Sequence, residues 1–472
     1  SGLLDLTDNR VGEDIVARAS IEVPELAIAH NPGFTSIDGF AWSGHPGIGE
    51  WVRRQRVRVG ADGVFGHNWS NILPLTPGNL AAHPTAFAEV NGRRGKSPQL
   101  CTTDPAVIQA SVEAARRFFD GHKGAPLFSI SPNDGDGFCE CARCRALDRA
   151  LGVTDGSVSD RLAEYANAVI AEVVKTHPGK RLGMLAYARY TKPPRRVRPE
   201  SGYTTLVTHM PWEFCHAHAV DDPACALNRR YLEALQGWIA LTPRTGVYEY
   251  YGHFLTATPW PIVHSMRRDI PLFARLKAER FVSETQAHWA TQGLGFYIAA
   301  RLVNDPDVDV GALLDEYFTR FFGPAAAPMR RYSDLFETAM QASTARGDGG
   351  FIWLSMFTPA LLSEARRALE DAERAVGAGD EKYRSRVRFI RSGFDYTDAF
   401  ARMMDAATRR DVREVLRWSA VAEDRLRATA GSAPQAFDIA LAIDATRYWT
   451  RRALASPEPW KLERAKEGAA PT

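Results

Sequence analysis

Residues 127–187 read LFSISPNDGDGFCECARCRALDRALGVTDGSVSDRLAEYANAVIAEVVKTHPGKRLGMLAY. The segment opens on a short apolar run, Leu127–Ser131, and closes on another, Arg181–Tyr187. Between them, Ser159–Lys175 carries Leu162, Tyr165, Ala166, Val169, Ile170 and Val173 at helical spacing. Strands that alternate with helices in this way make parallel βα units.

The alternation extends in both directions. Gly33–Phe40 and Gly63–His67 read as strands upstream, with a helix at Asp104–Phe119. Thr204–His209, Thr245–Tyr251 and Arg280–Glu284 read as strands downstream, separated by helical stretches at Asn228–Thr242 and Ser265–Leu276. Seven strands, with an eighth before Pro32, predict an α/β fold: a (β/α)8 TIM-like barrel of about 250 residues. A doubly wound open sheet is the alternative, but no glycine-rich phosphate loop follows any strand. After Gly293 the strand pattern stops, and Gly311–Phe322, Pro359–Val376, Tyr383–Ala407, Asp411–Ala428 and Pro434–Leu454 read as helices. The second of these has Thr358 as N-cap, Pro359 in its first turn and Gly377 at its C-terminal end. The expected division is a lead-in at 1–31, either a first strand or the remnant of an upstream domain, a catalytic barrel at 32–323 and a C-terminal α-helical bundle at 324–472.

The composition narrows the function. Among 472 residues, 58 Lys+Arg against 56 Asp+Glu leave a formal charge of +2, which argues against a nucleic-acid partner. No apolar run reaches the roughly 18 residues of a membrane span. Eleven tryptophans is a high count, and Trp42, Trp69, Trp212, Trp260 and Trp289 stand beside His, Asn or Tyr rather than in apolar runs. Aromatics next to polar groups suit a ligand with an apolar face and many hydroxyls.

In a (β/α)8 barrel the C-terminal ends of the strands carry the chemistry. Six such ends are polar or aromatic here: His67-Asn68-Trp69, Asn133-Asp134, Tyr187, His209 with Trp212-Glu213, Tyr248-Glu249-Tyr250, and Glu284 with His288-Trp289. Glycoside hydrolysis uses two carboxyls, one protonated and one ionised. Asp134, Glu249 and Glu284 are the candidates, and burial of Glu249 between tyrosines should raise its pKa as a general acid requires. His67, Asn68, Trp69, Asn133, Tyr187, His209, Trp212, Tyr250, His288 and Trp289 are the expected lining of a sugar subsite. Arg93, Arg94 and Arg189 are candidates to grip an acidic sugar. The histidines show no HxH or HExxH spacing, so hydrogen bonding to sugar is expected of them rather than metal binding.

Six cysteines are present. Cys139, Cys141 and Cys144 cluster just after Asp134, and with Cys101 or a histidine they would make a structural zinc site. Disulfides in an exported protein are the alternative, with Cys215 and Cys225 as a loop-closing pair. A plain reduced cluster is the third reading.

The block Asn133-Asp134-Gly135 followed by Cys139-Glu140-Cys141 and Cys144 resembles a bacterial family, the domain of unknown function 4838. Gly66-His67-Asn68-Trp69, His83-Pro84, Asn91-Gly92-Arg93, Ala186-Tyr187 with Pro193-Pro194, and Tyr248 to Tyr250 are similar to its pattern. The resemblance runs from about Pro32 to Gly323. That family resembles glycoside-hydrolase barrels of the α-glucuronidase and hexosaminidase kind. It therefore implies an acid near the end of strand 4 and a carboxylate on strand 7, which are Asp134 and Glu249 if a strand precedes Pro32. It also implies a β-rich domain upstream. The expectation is an exo-acting glycoside hydrolase, periplasmic or secreted, with a carbohydrate substrate and no required cofactor. A non-catalytic carbohydrate-binding barrel and a zinc-dependent hydrolase are the alternatives.

Overall fold

Seven parallel strands form one curled sheet, and helices fill most of the described connections between sequence-adjacent strands. In chain order the strands are β1 (Ser36–Ala41), β2 (Gly63–Val64), β5 (Leu127–Ser129), β6 (Arg181–Ala186), β7 (Tyr203–Thr208), β8 (Thr245–Glu249) and β9 (Arg280–Glu284). They lie in the order β1-β9-β8-β7-β6-β5-β2, all parallel. The remaining two, β3 (Glu89–Val90) and β4 (Arg93–Arg94), make a small antiparallel hairpin. This computed structural model describes residues 19, 20, 25, 33–41, 51, 54–57, 63–253, 255–343 and 356–455.

The expected eight-stranded barrel is corrected to this extent. Among the described residues the sheet has seven strands, and β1 and β2, its two edges, share no ladder. The eighth strand expected before Pro32, Trp42 and the tail from Pro457 to Thr472 lie outside the described residues. β2 is also shorter than expected: two residues, followed by a single parallel bridge from His67 to Ser131. The central strands match their sequence pattern. β7 is buried at every position and β6 at all but its first, as central strands of a sheet covered on both faces should be.

The helices of this half are α1 (Trp69–Ile72), α2 (Pro77–Ala82), α3 (Pro105–Gly121), α4 (Ala142–Ala150), α5 (Ser159–Val173), α6 (Ala226–Leu241), α7 (Val263–Arg275), α8 (Trp289–Asn304) and α9 (Val310–Phe322). Their starts follow local chemistry. Asp104 caps α3 by accepting the Ala106 N–H, with Pro105 in the first turn, where a missing N–H costs nothing. α5 buries the predicted stripe of Leu162, Tyr165, Ala166, Val169, Ile170 and Val173. Burial of each large apolar side chain contributes about 1.5–3 kcal/mol. The Tyr165 hydroxyl, carried inward by that stripe, meets Ser111 of α3 at 2.6 Å.

After β9 the described residues contain helices only. α10 (Ala326–Gln341), α11 (Pro359–Val376), α12 (Glu381–Thr408), α13 (Val412–Ser432) and α14 (Ile439–Ala455) follow. Thr358 caps α11 by accepting the Leu361 N–H, as the sequence predicts. α12 lies so close to α8 that a Cβ on Gly393 would meet the Ala290 carbonyl oxygen at 2.8 Å, so only glycine fits there. The bundle also braces loops beyond the sheet. Trp449 Nε1 donates to the Leu255 carbonyl at 2.7 Å, and the Asp438 N–H donates to that of Ala287 at 2.9 Å. These are the loops that follow β8 and β9. Among the described residues no helix is long and apolar enough to cross a membrane.

Candidate active site at the rim of the sheet

The turn that carries Asp134 is built before the carboxylate is placed. Asn133 is buried, and every polar atom it offers is used. Its Oδ1 accepts the Ser70 N–H at 2.8 Å, its Nδ2 donates to the Pro98 carbonyl at 2.7 Å, and its N–H donates to Gln99 Oε1 at 3.1 Å. Gln99 returns the contact, its Nε2 donating to the carbonyls of Asn133 at 2.8 Å and Gly135 at 3.2 Å. Gly135 and Gly137 take φ of +88° and +86°, the left-handed region that favours glycine. A rigid turn therefore holds an open carboxylate, for the Asp134 side chain is 72% exposed.

Two side chains converge on Asp134. The Tyr187 hydroxyl donates to its Oδ1 at 2.9 Å. His67 Nε2 lies 3.6 Å from the same oxygen. His67 Nδ1–H donates to the Pro132 carbonyl at 2.6 Å, because a carbonyl can only accept, and this fixes the ring's tautomer. The His67 and Tyr187 rings meet edge to face at 5.3 Å.

Glu284 ends β9 on the same rim. The Tyr248 hydroxyl donates to its Oε2 at 3.0 Å. Burial pushes the Glu284 carboxyl above its ordinary pKa and the charge of Asp134 adds to that, while the Tyr248 hydrogen bond pulls the other way. Tyr187, Tyr248 and Tyr250 are likewise raised, first by burial and then by these carboxylates, so their hydroxyls stay protonated. Tyr187 and Tyr250 each feel both Asp134 and Glu284, which puts the two carboxyls around one floor of phenols. Glu213 joins them: burial raises it against Arg230, and its charge reaches Tyr187. Trp212 beside it is 39% exposed, a large aromatic left open at the end of β7.

Glu249 is elsewhere, and strand geometry explains why. Successive side chains on a strand point to opposite faces. Across the β8–β9 ladder Tyr248 pairs with Val282 and Glu249 with Ser283. Tyr248, Tyr250 and Glu284 therefore share the face that lines the rim, and Glu249 points away, toward α6. There it is fully buried, with His209 Nδ1 at 3.2 Å and His216 Nε2 at 3.4 Å from Oε2. His209 Nε2 faces Asn228 Oδ1 at 3.3 Å, and its ring stacks on His216. Burial alone would raise the Glu249 pKa, but the two histidines more than offset it and hold the carboxyl below its usual range. Burial lowers His216 to about 4. The expectation of a raised Glu249 pKa is corrected: the group is buried and paired with two histidines, which hold its carboxyl low. Ligand atoms of His209, His216 and Glu249 lie within 4.8 Å of one another, so among the described residues this is one of two groups whose donors could hold a metal.

Several expected subsite residues are also core residues. Trp69 is fully buried, edge-on to Tyr165 at 5.7 Å. Asn68 is buried, with its Nδ2 donating to the Ser129 carbonyl. His209 serves Glu249. His288 is fully buried and packs near Phe437, and Trp289 packs edge-on to Trp51 at 5.1 Å. Trp260 is buried against His253 and His216. An aromatic beside a polar residue marks the rim only when it is also exposed, and that holds for Trp212. Arg94 and Arg189 are committed to protein: Arg94 to the Phe87 and Thr85 carbonyls and Glu89, Arg189 to the Gly156 carbonyl and Asp136. Arg93 is exposed. Tyr248 and Gln99 are the candidate-site residues the sequence reading did not single out. Tyr248 had a signal in the Tyr-Glu-Tyr alternation, whereas Gln99 is a contact between distant segments.

None of the six cysteines is in a disulfide. The alternative of a Cys215–Cys225 disulfide is not formed, and Cys215 Sγ lies 3.2 Å from His218 Nδ1 instead. Cys139, Cys141 and Cys144 do cluster, and Cys101 joins them, the four sulfurs all buried and within 4.8 Å of one another.

The fold is similar to three solved glycoside hydrolases at low identity. A mutant O-GlcNAc hydrolase of Thermobaculum terrenum matches at 11% identity and a TM-score of 0.41, over 90% of this chain and 95% of that one. A GH89 enzyme of Clostridium perfringens, solved with its substrate GlcNAc-α-1,4-galactose, matches at 9% and 0.40, over 78% and 43%. A GH138 enzyme targeting pectin rhamnogalacturonan II matches at 8% and 0.39, over 76% and 49%. The chain matches no curated protein. Residues 14–334, more than half of the sequence, match one family throughout, and the chain belongs to it: Domain of unknown function (DUF4838).

Proposed function

We propose that this chain is a glycoside hydrolase, acting on a terminal sugar, in which Asp134 and Glu284 are the carboxyl pair. The observation that carries the reading is their shared rim and unlike surroundings. Glu284 is the half-buried, raised member and takes the role of general acid. Asp134 is open, braced by a rigid turn and contacted by Tyr187, and takes the role of nucleophile or base. Tyr187, Tyr248 and His67 orient the two carboxyls. Trp212 offers the exposed aromatic face on which a sugar ring would stack.

The test is turnover on a panel of aryl glycosides, including uronides and N-acetylhexosaminides. On any substrate the parent cleaves, Asp134→Asn and Glu284→Gln should each lower kcat by about 10²–10⁴-fold, the usual contribution of a positioned acid or base. Full turnover by both variants would end the carboxyl-pair assignment.

A further inference from the structure

We propose that Cys101, Cys139, Cys141 and Cys144 form a structural zinc site, and that this site locks the turn carrying Asp134. The four thiols come from two segments. Cys101 follows the β3–β4 hairpin, Cys139 follows the Asp134 turn, and Cys141 and Cys144 open α4. Together with Ala88 they make a small buried cluster apart from the main core. Folding has gathered four sulfurs where an apolar core would gather leucines.

The geometry fits the metal. Zinc binds thiolate at about 2.3 Å, so a tetrahedral site has S–S edges of about 3.8 Å. Cys101 Sγ lies 3.8 Å from Cys141 Sγ and 3.7 Å from Cys144 Sγ. A disulfide needs about 2.05 Å. The surroundings suit four thiolates on one divalent ion, a site of net negative charge. The Glu89 N–H donates to Cys139 Sγ at 3.3 Å, and the N–H groups of Cys141 and Cys144 reach Cys139 and Cys141. The Arg94 guanidinium lies 4.0 Å from Cys139 Sγ and supplies the compensating positive charge. Four sulfurs fill a tetrahedral shell and leave no position for water, so this is a structural site rather than the centre of a zinc hydrolase.

The site has a mechanical consequence. Gln99, two residues before Cys101, clamps Asn133 and Gly135 on either side of Asp134. Cys139 closes the far end of the same turn. The metal would tie both segments together, which makes the cysteines positioning residues for Asp134.

The experiment is metal and thiol analysis of the full chain purified without added metal. One zinc per chain is expected, together with six titratable thiols after denaturation in chelator. If zinc is substoichiometric, the reduced protein is titrated with Co²⁺, which should give the visible d–d bands of tetrahedral thiolate ligation. Absence of both zinc and those bands, or fewer than six thiols with a disulfide mapped among these four, overturns the site. Cys101→Ser should lose the metal and Cys225→Ser should keep it; the wild-type analysis stands even if Cys101→Ser does not fold. Hydrogen exchange over residues 132–141 should rise when zinc is stripped, and unchanged exchange there overturns the locking role.

Discussion

Two glutamates on neighbouring strands meet opposite fates. Glu249 of β8 faces α6, is fully buried, and is held ionised by His209 and His216. Glu284 of β9 faces the rim, keeps a hydrogen bond from Tyr248, and is raised by burial beside Asp134. The sequence around each looks alike, an acid at a strand end among aromatics. What separates them is one residue of strand parity. On the proposed reading the face of the strand decides whether a carboxyl serves the fold or the chemistry.

That contrast is open to attack first through stability. Glu249→Ala leaves two buried histidines without their hydrogen-bond acceptor, and an unsatisfied buried polar group costs about 1–3 kcal/mol. Asp134→Ala removes an exposed group and should change stability by no more than about 0.5 kcal/mol. Denaturant unfolding of both variants checks this, and equal losses would erase the distinction. Next comes pH. The Tyr248 hydrogen bond lowers the Glu284 pKa, so Tyr248→Phe should raise it further. An acid with a raised pKa stays protonated to higher pH, so the alkaline limb of kcat/KM should move to higher pH, with turnover at the optimum down about tenfold. A limb that stays put or moves the other way removes Glu284 as the acid. The smallest effect is expected at Trp212. Loss of one stacking face is worth about 0.5–1.5 kcal/mol, so Trp212→Ala should raise KM about 2–10-fold with kcat nearly unchanged. A kcat loss at constant KM would mean that Trp212 does more than bind.

Much of the fold was legible. Arg280–Glu284 and Pro359–Val376 appear with the predicted bounds, because one centres on Phe281-Val282 between polar residues and the other has a cap, a stripe and a terminating glycine. α8 was not legible: it is buried nearly all round, so it shows no amphipathic stripe. In the site, Asp134 stood out through its Gly-rich turn, and the cysteine cluster through its spacing. Its fourth member stayed open because Cys101 lies far upstream and only the fold brings it in. The face of Glu249 was missed because burial beside aromatics was read as a raised pKa, and the two histidines that reverse the sign come from other segments.

The most direct test of the central claim sets Glu284→Gln beside Glu249→Gln. Both exchanges are isosteric and remove one charge, one on each face of the sheet. On a glycoside the parent cleaves, kcat should fall about 10²–10⁴-fold for Glu284→Gln and stay within a few-fold of the parent for Glu249→Gln, whose loss should appear in Tm instead. The reverse pattern, with Glu249→Gln inactive at unchanged Tm and Glu284→Gln fully active, would contradict the account.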